Sequence, residues 1–455
     1  MLVVALLLLP FVSAVVPQAR HDHNHSHETA RQLPSKWYHD GDHPVHELFR
    51  RGAPTDGATY AAVGSDAWGT GYPDFPPAHP DTSKMPAAWV AALNDAIARK
   101  AIPNIPVSTI QGDSNPTYAG GLDPNGPEVC SATEQCRIPG DIWDAPPGTL
   151  GLSFDDGPEA GTESLLAFLD TQKQQVTHFM IGSNILGSPD DFLKAFNRGD
   201  DIAVHTWTHP MMTTQSNLEV VAEIGWTMQI IHNSTGGRVP KFWRPPYGDT
   251  DTRVSAIAKE VFGLTTIIWN QDTADWSLTD SPPGTSAAAI KTSMQKWLTG
   301  SKTPGLIILE HELSTQSVAS FIAAYPVMQQ NKWDIQSLAQ LMGGNASYFN
   351  SASNSSPVVA ADVLGAKNAT APPASGSSSA SAAGPSGTTS GKNATSNSNS
   401  NANANANANA NAKNGTQTVS GAGAGASGKS SASPRWATAG PSVLLTAGVL
   451  LLLWS

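Results

Sequence analysis

The run Ser153-Phe154-Asp155-Asp156-Gly157-Pro158 sets two carboxylates side by side where a turn can aim both at one place. Two ionised carboxylates that close repel each other unless one is neutralised, and a divalent cation does this. His205 and His209, in His205-Thr206-Trp207-Thr208-His209, have the four-residue spacing that lets two imidazoles meet one ion if the segment curls. Two histidines and one aspartate leave coordination positions open for water, which suits a catalytic ion of the zinc type, and the other aspartate stays available as a base. In Arg244-Pro245-Pro246-Tyr247-Gly248 the prolines stiffen the turn and lack amide hydrogens. The next free donor is the Tyr247 amide, suited to an oxyanion position, while Arg244 can grip a carboxylate bidentately and orient it. In Asp272-Thr273-Ala274-Asp275-Trp276 and Leu309-Glu310-His311, an aspartate beside a histidine favours imidazolium, so Asp275 and His311 form a candidate acid pair. Singly, each motif has a plainer reading as a turn, a surface histidine or a satisfied core histidine. Together they supply the parts for metal-assisted hydrolysis.

The elements that must position these groups alternate in type. Apolar strand-like runs lie at Gly151–Phe154, Val176–Ile181, Ile202–Val204, Lys241–Trp243, Leu264–Trp269 and Gly305–Leu309. Helix-like stretches fall near Glu163–Lys173, Asp190–Arg198, Asn217–Ile231, Asp251–Phe262, Ala287–Leu298 and Val318–Gln329. Such alternation predicts an α/β fold of parallel strands with helices outside, as an open sheet or a barrel. Every chemical motif sits where a strand run ends, the end that carries the active site in α/β barrels.

Taken as an ordered set, these five segments resemble the polysaccharide deacetylases of the NodB-homology type, carbohydrate esterase family four, and among them the fungal GPI-anchored chitin deacetylases. The resemblance covers about Thr149 to Gly343, with Ser153 standing where threonine is more usual. It implies a distorted (β/α) barrel with Asp155 as catalytic base and Asp156, His205 and His209 as ligands of one divalent ion, zinc or cobalt. It also implies Arg244 orienting Asp155, the Tyr247 amide as oxyanion donor, and His311 as acid supported by Asp275. Trp276 and Leu309 would line the pocket for the acetyl methyl group. The implied reaction removes N-acetyl groups from chitin, a polymer of β-1,4-linked N-acetylglucosamine, to give chitosan and acetate in cell-wall remodelling.

The remainder of the 455-residue chain predicts a surface protein. Residues 1–16 are apolar with a Val12-Ser13-Ala14 cleavage-like site and read as a signal peptide. Residues 431–455, ending in the short apolar run Val443–Trp454, have the pattern of a GPI-anchor signal that is removed on attachment to a membrane. Cys130 and Cys136 are the only cysteines, and in an oxidising compartment they are expected to pair. Sequons at Asn233, Asn345, Asn354, Asn368, Asn393 and Asn414 fit a glycosylated protein. Residues 17–145 read as an N-terminal extension with one helix near Ala87–Lys100, and its His21, His23, His25 and His27 as a solvated tail. The catalytic domain is placed at 146–345. Residues 346–430, rich in Ser, Ala, Asn and Gly, read as a disordered glycosylated linker. A net charge of −11 argues against nucleic acid as a partner. Nothing in the chain specifies an oligomeric state.

Overall fold

The computed structural model describes residues 53–74, 79–112 and 114–365. The leader, the anchor signal, the alternating histidines and the sequons at Asn368, Asn393 and Asn414 lie outside the described residues.

At the centre stands β1 (Thr149–Asp155), whose residues after Thr149 are all buried, as a strand covered on both faces requires. Its partners are β2 (Thr177–Met180), β7 (Leu306–Leu309) and β8 (Asp334–Ser337), and β8 takes the first half of β1 while β2 takes the second. Beyond β2 follow β3 (Asp201–Val204), β4 (Phe242–Trp243) and β5 (Thr265–Thr266); beyond β7 lies β6 (Gln271–Asp272). All eight strands run parallel. The expected single strand Leu264–Trp269 is shorter and bent. Thr265–Thr266 pair with β4, and five residues later Gln271–Asp272 pair with β7. One stretch of chain therefore crosses the gap between two edges, with Ile142 bridging to Ile267 and Ala145 to Gly305 beside it. This closure makes the molecule a distorted (β/α) barrel.

Helices cover the outside: α1 (Ala87–Ala98), α2 (Thr162–Gln172), α3 (Gly182–Gly187), α4 (Pro189–Arg198), α5 (Asn217–Ser234), α6 (Thr252–Phe262), α7 (Ala287–Leu298) and α8 (Thr315–Gln330). Their starts are written locally. Ser216 and Glu219 form a reciprocal capping box on α5, and Asp251 accepts from the Val254 amide to start α6.

Two expected boundaries give way. The described residues from Ala53 to 145 join the main core. Trp68, Trp89 and Leu93 join Val220, Met228, Ile257 and Phe262 in one cluster, and Trp68 Nε1 donates to Ser234 Oγ at 2.9 Å. A Cβ on Gly225 of α5 would lie 2.5 Å from the Trp89 ring, so only glycine lets α1 approach this closely. At the other end, residues 346–365 are packed onto the barrel instead of beginning a disordered linker. Tyr348 is fully buried, the Phe349 amide donates to Val239 O at 3.0 Å, and the buried Arg238 guanidinium donates to the carbonyls of Ser353, Asn354 and Ser356.

The disulfide forms as expected between Cys130 and Cys136, six residues apart. The sequon at Asn354 is a correction: its Nδ2 donates to Phe196 O and Asp200 O inside the fold, so the atom that would carry a sugar is already engaged. Asn345 is exposed and Asn233 half-buried.

Candidate active site

The catalytic motifs meet at the C-terminal mouth of the strands, around a cavity of about 300 Å³. Asp155, Asp156, His205, His209, Tyr247, Trp276, Leu309 and His311 all line it, and Arg244 and Asp275 stand directly behind lining residues. The cavity also takes in Glu159, Asn184, Trp269 and Asp280, which the sequence motifs did not single out as site residues.

Asp155 ends β1, and the chain then turns through Asp156 at φ +73°, a left-handed conformation rarely taken by a residue with a side chain. This turn lets two neighbouring carboxylates face the same mouth, where an extended strand would point them apart. Gly157 follows because a Cβ there would overlap Glu312 Oε1 at 2.0 Å. Arg244 Nη1 donates to Asp155 Oδ1 at 2.5 Å. The expected bidentate grip is absent: Nε and Nη2 of Arg244 have no hydrogen-bond partner, and the guanidinium instead lies 4.2 Å over the Phe179 ring.

Asp156 Oδ1 lies 3.1 Å from both His205 Nε2 and His209 Nε2. The three potential ligand atoms fall within 4.8 Å of one another. His205 Nδ1 faces the Arg244 carbonyl at 2.7 Å and must carry a proton to bond it, which leaves Nε2 of the neutral ring offering a lone pair to the carboxylate oxygen. That oxygen is buried without a hydrogen-bond partner. Acceptors converging on one point are what a cation requires, so these three residues fit a divalent ion. His209 reaches the site from a left-handed φ of +59°, with its ring edge against Tyr247 at 4.6 Å.

Across the mouth, Asp275 grips His311 twice: Oδ1 lies 2.6 Å from Nδ1, and Oδ2 accepts from the His311 amide at 2.9 Å. Burial disfavours the imidazolium, but Asp275, with Asp156 and Asp155 behind it, outweighs that penalty and lifts the His311 pKa to about 10. Asp155 and His311 are bridged partners on adjacent strands, the Asp155 amide donating to Glu310 O at 3.0 Å, so β1 and the end of β7 fix these two side chains side by side. Tyr247 follows two prolines at φ +58°, which turns its backbone at the cavity wall.

The motifs leave out a buried relay below the turn. His178 Nδ1 sits 2.7 Å from Glu312 Oε1, and its Nε2 lies 3.4 Å from Asp200. Burial opposes charge on His178, but Glu312 and Asp200 prevail and raise its pKa to about 10. Its only trace in the sequence is a polar residue inside an apolar strand.

Comparison with known proteins accords with this arrangement. The polysaccharide deacetylase family profile matches residues 144–266. Chitin deacetylase 3 of Cryptococcus neoformans is 41% identical over 335 residues, covering 72% of this chain and 78% of that protein. A chitin deacetylase of Amylomyces rouxii is 33% identical, over 54% of this chain and 64% of its own length. A solved family 4 carbohydrate esterase from Streptomyces lividans, in complex with acetate, shares 32% identity over 42% of this chain and 91% of its own, with a TM-score of 0.36. The extent of the match to the Cryptococcus enzyme decides the assignment: the chain belongs to the polysaccharide deacetylases, as one of their fungal chitin deacetylases.

Proposed function

We propose that the chain hydrolyses the N-acetyl groups of β-1,4-linked N-acetylglucosamine in chitin with one divalent ion held by Asp156, His205 and His209, releasing acetate and leaving chitosan. The observation that carries this reading is the convergence of three ligand atoms within 4.8 Å beside an Asp155 that Arg244 holds at 2.5 Å. Their imidazole and carboxylate chemistry suits zinc or cobalt. When bound, such an ion lowers the pKa of water and polarises the acetamide carbonyl. Asp155, oriented by Arg244, takes the proton of the attacking water. The Tyr247 amide donates to the developing oxyanion, and His311, kept protonated by Asp275, gives its proton to the departing amine. Leu309 and Trp276 form the wall that receives the acetyl methyl.

The apolar leader and the tail pattern support secretion, and a GPI anchor holding the enzyme at the cell surface, where its product would enter the wall. The test is acetate release from chitin oligomers before and after exhaustive chelation, with zinc or cobalt added back. Activity should vanish with the ion and return with it. Full turnover in verified metal-free protein would end the metal reading.

A further inference from the structure

We propose that Glu223 is the positioning residue of the loop carrying both histidine ligands, an inference that rests on the metal site proposed above. The loop is held in an unfavourable shape: Thr206 at φ +67° and His209 at φ +59° both occupy the left-handed region. His205 is fixed separately, through its Nδ1 and the Arg244 carbonyl. For His209 the chain offers locally only its own amide, donating to Thr206 Oγ1 at 3.1 Å.

The remaining restraint comes from α5. Glu223 is fully buried, on a helix whose neighbours Val220, Val221 and Ile224 are core residues. A carboxylate there needs several donors to offset its desolvation. Oε2 accepts from the amides of Trp207 and Thr208, each at 2.8 Å. Oε1 accepts from Thr208 Oγ1 at 2.6 Å and lies 3.3 Å from His79 Nδ1. Three of these contacts go to the two residues immediately before His209. The carboxylate thus sets the direction in which the chain arrives at the second ligand, and Glu223 itself does not line the cavity.

Glu223→Gln keeps the volume but replaces one acceptor oxygen with an NH₂ that faces donors. Two readouts test the idea. In metal-free protein, hydrogen exchange in the peptide spanning 205–209 should accelerate. In cobalt titrations the Kd should rise about 10- to 100-fold, with a changed visible cobalt spectrum, as expected when support behind a ligand is removed. Thr208→Val, which deletes only the hydroxyl donor, should move exchange the same way by less, and it decides the matter if the glutamine variant does not fold. Wild-type exchange in the variants overturns the proposal, as does a variant whose sole change is a lower melting temperature. If the wild-type chain binds no cobalt, the metal reading falls, while exchange in metal-free protein still decides the role of Glu223.

Discussion

Asp155 and Asp156 are covalent neighbours with different partners. The left-handed turn at Asp156 sends its carboxylate to two imidazoles, while Asp155 stays on the strand end under Arg244. If Asp155 is the base, Asp155→Asn keeps the ion and loses at least about 100-fold in kcat, the usual size of a general-base contribution. Metal content and acetate release measured on the same sample check this, and near-normal turnover would remove Asp155 from the role. His311 gives a pH prediction. Its pKa is raised to about 10, so the acid form persists through neutral pH and activity should fall only as pH passes that value. Asp275→Asn removes the main support of the imidazolium, so the alkaline limb of kcat/KM should move to lower pH. An unmoved limb would assign it to another group. At this scale the sequence showed which residue types could act, because motif spacing carries that information. The single-contact geometry of Arg244 and the Glu223 clamp depend on elements far apart in the chain, and no local pattern encodes them.

Except for the short α3 (Gly182–Gly187), the eight helices were legible to within a few residues, because apolar periodicity and caps such as Ser216 and Asp251 are local signals. Strands were less so. Leu264–Trp269 has the apolarity of one strand, yet closing the barrel requires the chain to leave β4 and join β7, and pairing overrides the pattern. β8 went unseen because Asp334-Ile335-Gln336-Ser337 is polar, and it pairs all the same with the first half of β1. The α1 helix was expected, but not its place in the core. Trp89 meets Trp226 and Phe262 edge-on at 5.2 and 6.0 Å and lies against Gly225. Trp89→Ala should therefore cost about 3–5 kcal/mol, the range for emptying a buried aromatic site. Urea unfolding measures this, and a loss below about 1 kcal/mol would mean that α1 is peripheral.

Over the whole molecule, the two flanks of the catalytic region hold each other. Arg238 donates to Pro54 O from one flank and to the carbonyls of Ser353, Asn354 and Ser356 from the other. A chain ended after residue 345 would leave this buried guanidinium short of three acceptors, each lost bond leaving a cost of about 1–3 kcal/mol. We expect it to unfold at clearly lower urea than a chain ended after residue 365, and equal midpoints would refute the tie. The same packing removes Asn354 from the set of available glycan sites, since its amide bonds Phe196 and Asp200.

The amino-acid sequence by itself determined which side chains could do the chemistry, the parallel α/β class and the family, because side-chain type, spacing and apolar periodicity are properties of short stretches of chain. Only the tertiary structure decided where the barrel closes, which flanking segments belong to its core, and how the histidine loop is braced. Each of those depends on groups tens to hundreds of residues apart satisfying one another's buried surface and hydrogen bonds, and such pairings exist only once the chain has folded.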